Sequence, residues 1–188
     1  CETARKLGAT DIAVTWNAPG VKGREGKIWG NDIAPYGFTV LGFGSALPSP
    51  WRAGADESTT VSFSTDVTIN GKPLPAGKYG FFIAVYPDSC TLIFNKNHAG
   101  WGSYFYKSDM DVLRVTAYQQ KNAAALKERL EYTFSNQTER SVDLALEWER
   151  WRIPFTVGVD LVNTTLAYIR TQMSGAAGFD PPSLESAA

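Results

Sequence analysis

With 188 residues, 44% of them hydrophobic, the chain is long enough to bury one core and falls within the size range of a single domain. Its 18 basic and 19 acidic side chains leave a net charge of −1, without the basic excess that a DNA- or RNA-binding surface requires. No apolar run approaches the ~20 residues of a bilayer-spanning helix, so any membrane attachment has to come from elsewhere.

Two cysteines are present, Cys1 and Cys90. A chain numbered from cysteine looks like the product of lipoprotein signal-peptide cleavage, in which the N-terminal thiol carries the lipid. Lipid attachment at Cys1 is therefore expected, with a cloning boundary or a Cys1–Cys90 disulfide as the alternatives. Residues 1–10 are polar after the cysteine and suit a short tether between anchor and domain. Cys90 lies in the apolar segment 89–94 and suits a buried small hydrophobe.

Period-two alternation, the mark of a half-buried strand, then recurs along residues 11–160. Ile12, Val14 and Trp16 alternate with smaller residues, as do Val61 with Phe63 and Val67 with Ile69. Asn70-Gly71 supplies the positive φ angles of a two-residue hairpin turn, and Pro75-Ala76-Gly77 a second reversal. Tyr79, Phe81, Ile83 and Val85 form one face of a long strand, followed by Leu92 with Phe94, by Leu113, Val115 and Ala117, and by Leu130, Tyr132 and Phe134. Val142, Leu144, Leu146 and Trp148, then Ile153, Phe155, Val157 and Val159, flank a tight connection at Glu149-Arg150 and predict a hairpin. Eight or nine such strands without a βαβ rhythm predict an all-β fold, an antiparallel β-sandwich or a flattened barrel, and we choose the sandwich.

Four segments break the period. Ala123, Leu126 and Leu130 fall at helical spacing and predict a short covering helix over 121–130. Asp160 can cap a second helix over 161–175, in which Val162, Leu166, Ile169 and Met173 share one stripe and Gly175 ends the run. That stripe is expected to pack back on the domain, or else to face a partner. Residues 176–188 are expected to be a flexible or partner-bound tail. Residues 33–50, with Phe38, Val40, Leu41 and Phe43 among glycines and prolines, form a long uncharged apolar loop that suggests cover over a pocket or contact with a partner.

Several co-linear motifs carry a resemblance. Pro19-Gly20-Val21-Lys22-Gly23-Arg24, Ile28-Trp29-Gly30, Pro35-Tyr36-Gly37, the segment Trp51 to Glu57, Leu74 to Tyr79, Ile93-Phe94-Asn95-Lys96, Trp101-Gly102 and Leu146-Glu147-Trp148-Glu149 follow one another over residues 10–160. In this the chain resembles a bacterial family known as domain of unknown function twenty-nine eleven. The resemblance implies an exported protein, often a lipoprotein, with a β-rich fold and no established activity. The chain departs from the family pattern at 38–50, at Asp56 where asparagine is usual, and in its appended helix and tail.

Among candidate ligand-binding residues, Trp51, Arg52, Asp56 and Glu57 place a guanidinium beside two carboxylates and an indole, a set that can grip a sugar or fix a loop through an Arg–carboxylate bond. Trp101, Tyr104 and Tyr106 alternate as on one strand face and, with Trp29, Trp51 and Trp151, can form a stacking platform or fill the core. His98 is the only histidine and lies in a turn-like stretch, so a multi-histidine metal site is excluded. We expect no catalytic residue, no metal and no cofactor.

The expected function is a non-enzymatic accessory subunit of a larger membrane protein complex of the transport, respiratory or photosynthetic kind. It would sit on the periplasmic or outer face, tethered by lipidated Cys1, with Phe38, Val40, Leu41, Phe43, Val162, Leu166, Ile169 and Met173 as partner contacts. The alternatives are a carbohydrate or small-ligand binding domain, and a hydrolase or lyase using Asp56, Glu57 or Glu147.

Overall fold

Alternating apolar residues become strands where two sheets can share them, and the computed structural model, which describes residues 1–122 and 125–173, shows this along most of the chain. The strands are β1 (Glu2–Leu7), β2 (Thr10–Thr15), β3 (Thr39–Val40), β4 (Pro48–Ser49), β5 (Thr60–Phe63), β6 (Val67–Ile69), β7 (Lys72–Leu74), β8 (Gly77–Val85), β9 (Cys90–Asn95), β10 (Asp111–Ala117), β11 (Lys127–Ser135), β12 (Ser141–Glu149) and β13 (Trp151–Gly158). A single helix, α1 (Leu161–Met173), follows them among the described residues. One antiparallel sheet has the order β1-β2-β5-β8-β9-β10 and a second the order β11-β12-β13-β6-β7, packed as a sandwich, while β3 and β4 pair by themselves.

The core lies between the two large sheets. Ile12, Val14, Phe81, Ile83, Leu92 and Phe94 from one sheet meet Leu144, Leu146, Trp148 and Ile153 from the other, all fully buried. Each such side chain contributes on the order of 1.5–3 kcal/mol of transfer free energy. Phe81 lies 5.2 Å from Phe94 and 5.7 Å from Phe155, ring centre to ring centre. Two buried polar tips in this core are satisfied: Trp16 Nε1 donates to the Leu130 carbonyl at 3.0 Å, and the Tyr132 hydroxyl to the Ala53 carbonyl at 2.7 Å.

Both expected turns in the second sheet form. Asn70 and Gly71, at φ 47° and 80°, join β6 to β7. Glu149 (φ 57°) and Arg150 join β12 to β13, with Trp148 directly opposite Trp151. Pro75 and Ala76 carry the chain from the second sheet into the first.

Four expectations are corrected. Residues 2–7 are not a tether but edge strand β1, paired with β2 from Glu2 opposite Thr15 to Leu7 opposite Thr10. Its polar, mostly exposed side chains carry no hydrophobic period, yet backbone pairing needs none, and charges suit a sheet edge. The covering helix over 121–130 does not form: Lys127 to Leu130 belong to β11, Leu130 is buried beside Tyr132, and Leu126 is exposed. Ala123 lies outside the described residues. The strand alternation of Leu130, Tyr132 and Phe134 against β12 outweighs a helical spacing that no surface is there to bury. Among the described residues thirteen strands replace eight or nine, because β1, β3, β4 and β7 are too short or too polar to show alternation. Finally, α1 does not lay its stripe on the sandwich. Its first turn is anchored by buried Thr164 and by Leu161, whose Cδ1 would lie 2.9 Å from a Cβ at Gly8. Asp160 caps it as expected, accepting the Asn163 N–H at 3.1 Å. Val162 in the same turn is exposed, as is Leu166 in the next, and Ile169 is half-buried. The side chain of Met173 and residues 174–188 lie outside the described part.

Candidate functional site

The outer face of the first sheet is covered over β8 and β9. Strand β8 is a continuous apolar run, Phe81-Phe82-Ile83-Ala84-Val85, and every one of these residues is buried. Phe81, Ile83 and Val85 face the sandwich core; Phe82 and Ala84, with Ile93 of β9, form a second small core on the opposite face, closed by Tyr106 and Phe38. Beyond the end of β5 the edge of β8 is open, and the apolar loop is stitched along it: the Gly37 N–H donates to the Val85 carbonyl at 2.8 Å and the Ile83 N–H to the Trp51 carbonyl at 3.0 Å. Thr39 and Val40 pair with Ser49 and Pro48, so the loop closes on itself as a small β3–β4 ribbon. Residues 33–50 were expected to cover a pocket or meet a partner; the chain around them is bonded to the edge of β8, and Phe38 packs on the outer face of β8 and β9.

A polar network holds the far side of this cover. The Tyr106 hydroxyl donates to Asp111 Oδ2 at 2.6 Å and accepts from Arg114 Nη2 at 2.9 Å, and Arg114 Nε donates to the same carboxylate oxygen at 2.7 Å. Fully buried Asn95 donates to Asp111 Oδ1 at 2.6 Å. The Arg114 guanidinium then lies 5.3 Å from the centre of the Phe38 ring. Burial, with the Asp111 carboxylate beside it, pushes the Tyr106 phenol well above its ordinary value, so it stays a donor. Phe38, Leu47, Pro48, Tyr106, Ser108 and Arg114 line a shallow cleft of about 290 Å³ here.

On the near side stands the segment after Trp51. Arg52 Nη1 donates to the Asp56 carbonyl at 3.1 Å, and its guanidinium lies 5.1 Å from the centre of the Tyr104 ring. Gly102, at φ 55°, lets the guanidinium lie flat on the backbone, since a Cβ there would be 2.7 Å from Nη1. Phe43 stacks on Tyr104 at 4.3 Å and 17°, and Gly44 is required just behind it, where a Cβ would fall 2.2 Å from the Tyr104 carbonyl oxygen. Asp32, Ile33, Pro35, Thr39, Leu41, Pro50, Trp51, Arg52 and Ser103 enclose a second cleft of about 240 Å³.

Beneath that cleft four tryptophans cluster. Trp29 stacks on Trp151 at 4.5 Å and meets Trp51 and Trp148 edge-on at 5.5 and 5.9 Å. The indole N–H groups of Trp29 and Trp148 are buried without a hydrogen-bond acceptor among the described residues.

The sequence-singled residues separate on this map. Trp51 is core, Arg52 lines the cleft, and Asp56 and Glu57 are exposed in the loop before β5, Glu57 accepting from Asn17 Nδ2. Arg52 binds a carbonyl of its own loop, so the expected Arg–carboxylate bond is replaced by a backbone one. Asp56 adopts φ 54°, a left-handed conformation uncommon for residues other than glycine, asparagine and aspartate. Glu147 lies elsewhere, on β12, accepting from Arg152 at 3.2 Å and from Thr133 at 2.9 Å. Among the described residues no ion pair or hydrogen bond joins it to Asp56 or Glu57. Trp101, Tyr104 and Tyr106 do not alternate on a strand face: they sit in a turn, where Trp101 is exposed, Tyr104 is half-buried and Tyr106 is buried. The Asn95–Tyr106–Asp111–Arg114 network was not foreseen, because its members are scattered over 20 residues and only the fold of β9 and β10 side by side unites them.

A family model described as a protein of unknown function, DUF2911, matches residues 2–157, which takes in both large sheets and the loop that covers β8 and leaves α1 outside. No curated protein and no solved structure matches the chain.

Proposed function

Because the chain belongs to the DUF2911 family of proteins of unknown function, we propose its role from its surface: a non-enzymatic accessory subunit that docks on a larger membrane protein complex from the periplasmic or outer face. The observation that carries this reading is the apolar flank around the covering loop. Val40, Phe43 and Leu47 are 63%, 66% and 49% exposed, beside Trp101 and Phe105 at 52% and 53%. The stacking of Phe43 on Tyr104 and a bond from the Ser45 N–H to the Tyr104 carbonyl bring the two segments into one patch. Large apolar side chains held together and outward, next to a core that is already closed, are what a partner surface needs. The exposed face of α1, with Val162 and Leu166, supplies a second apolar feature beyond the matched residues.

In this reading Cys1, exposed and not in a disulfide, carries the lipid. Strand β1 starts at Glu2, so the lipid would enter directly at the sheet edge and hold the domain close to the bilayer with no flexible spacer between them. Extraction of native membranes in mild detergent, with mass spectrometry of what co-migrates and of the intact N-terminal peptide, tests the whole reading. Co-migration at fixed stoichiometry and an acyl mass on Cys1 are expected, and Phe43→Ser with Leu47→Ser should release the chain from the complex. A free, unacylated monomer overturns it.

A further inference from the structure

We infer that the cleft beside Arg52 is a binding site for a small carboxylic acid with an apolar body. This goes beyond the docking role and does not depend on it.

Three observations carry the inference. The first is the state of the cation. Arg114 and Arg152 neutralise Asp111 and Glu147, but Arg52 has no carboxylate partner: it uses Nη1 on the Asp56 carbonyl and one face on the Tyr104 ring, leaving Nε and Nη2 without a protein acceptor among the described residues. Held flat between Gly102 and Tyr104, it is a pre-oriented fork, the shape that receives a carboxylate through two parallel hydrogen bonds. The second is Ser103. It lines the same cleft at 3% exposure, and its hydroxyl has no hydrogen-bond partner among the described residues; Thr39, half-buried, adds another hydroxyl to the lining. Both hydroxyls are available to donate to an acceptor held beside the guanidinium. The third is the wall. Ile33, Pro35, Leu41, Pro50 and Trp51 give the rest of the occupant an apolar surface.

The same features limit what fits. At about 240 Å³ the cleft is smaller than the ~300–1,000 Å³ of sites for drug-sized ligands, so the occupant is small. One guanidinium, opposed by the exposed carboxylate of Asp32 on the same cleft, suits a single negative charge and disfavours a phosphate dianion.

Benzoate is the probe, read by tryptophan fluorescence through Trp51 and checked by calorimetry on the full chain. Saturable binding near ~1 mM is expected for an acid of this size. Benzamide, the same shape without the charge, should not saturate at tenfold higher concentration, and inorganic phosphate should bind more weakly than benzoate. Arg52→Gln should weaken benzoate at least tenfold, Arg52→Lys less, and Asp32→Asn should tighten it about twofold by removing the like charge. Leu41→Trp fills the cleft without touching the guanidinium and should abolish binding even if Arg52→Gln does not fold. Equal binding of benzamide and benzoate, tighter binding of phosphate, unchanged affinity in Arg52→Gln or Leu41→Trp, or no saturable response overturns the assignment.

Discussion

The two faces of the first sheet are buried by different means. On the inner face Phe81, Ile83 and Val85 meet another sheet, whose own side chains repeat every second residue and fill space evenly. On the outer face Phe82, Ala84 and Ile93 meet a loop, one phenylalanine and a buried tyrosine, and the closure depends on a few specific bonds. The inner face can tolerate no loss without a cavity, whereas the outer cover can loosen while the sandwich stays folded. A surface built in that second way also leaves clefts at its margins, and both clefts described above lie there.

The largest expected effect breaks the comparison most directly. Phe81→Ala should cost about 3–5 kcal/mol by urea unfolding, the range for an aromatic removed from a packed core. Phe82→Ala, though equally buried, should cost less, because the loop can settle into the space. Equal costs for the two variants would mean that the cover is as much a part of the core as the facing sheet. Next, Asp111→Ala removes the acceptor shared by Tyr106, Arg114 and Asn95 and should cost about 2–3 kcal/mol, the range for bonds to a charged group. Hydrogen exchange should then speed up in residues 36–48 while β12 and β13 remain protected. Exchange rising uniformly over the chain would show that the network supports the whole fold.

The smallest effect concerns a single thiol on the inner side. Burial pushes the Cys90 thiol up from 9.0 to about 12, against a weaker opposing hydrogen bond to the Tyr86 backbone. The folded state therefore keeps a proton that the unfolded chain releases. This contribution to stability is complete below pH 9.0 and is lost as the pH rises toward 12. Raised phenols at Tyr106 and Tyr132 act in the same sense above pH 10.0. Stability should be flat from pH 7 to 9 and fall above it, and iodoacetamide at pH 8 should reach Cys90 only on unfolding. Rapid labelling of Cys90 in the native protein would show that the β9 end of the sandwich opens.

Where burial was periodic, the residues alone announced it. The β12–β13 hairpin, the Asn70-Gly71 turn and the inner faces of β2, β8 and β9 were legible because a strand between two layers needs one apolar residue in two. The outer face of β8 was visible only as an apolar run too continuous for one-sided burial. Trp101, Tyr104 and Tyr106 show what such reading misses: equal spacing suggested equal roles, and the turn gives one to solvent, one to the Arg52 stack and one to the second core.

By itself, then, the order of residues determined an all-β chain with one closed core, its principal turns, and a capped helix after the last strand, since each of these follows from local period and backbone preference. Only the tertiary structure decided that residues 2–7 form an edge, that the apolar loop lies along β8, that Arg52 has no carboxylate partner among the described residues, and that Val162 and Leu166 of α1 stay exposed. Those outcomes depend on which surfaces meet across the chain, and a contact between distant residues leaves no period in the sequence of either one.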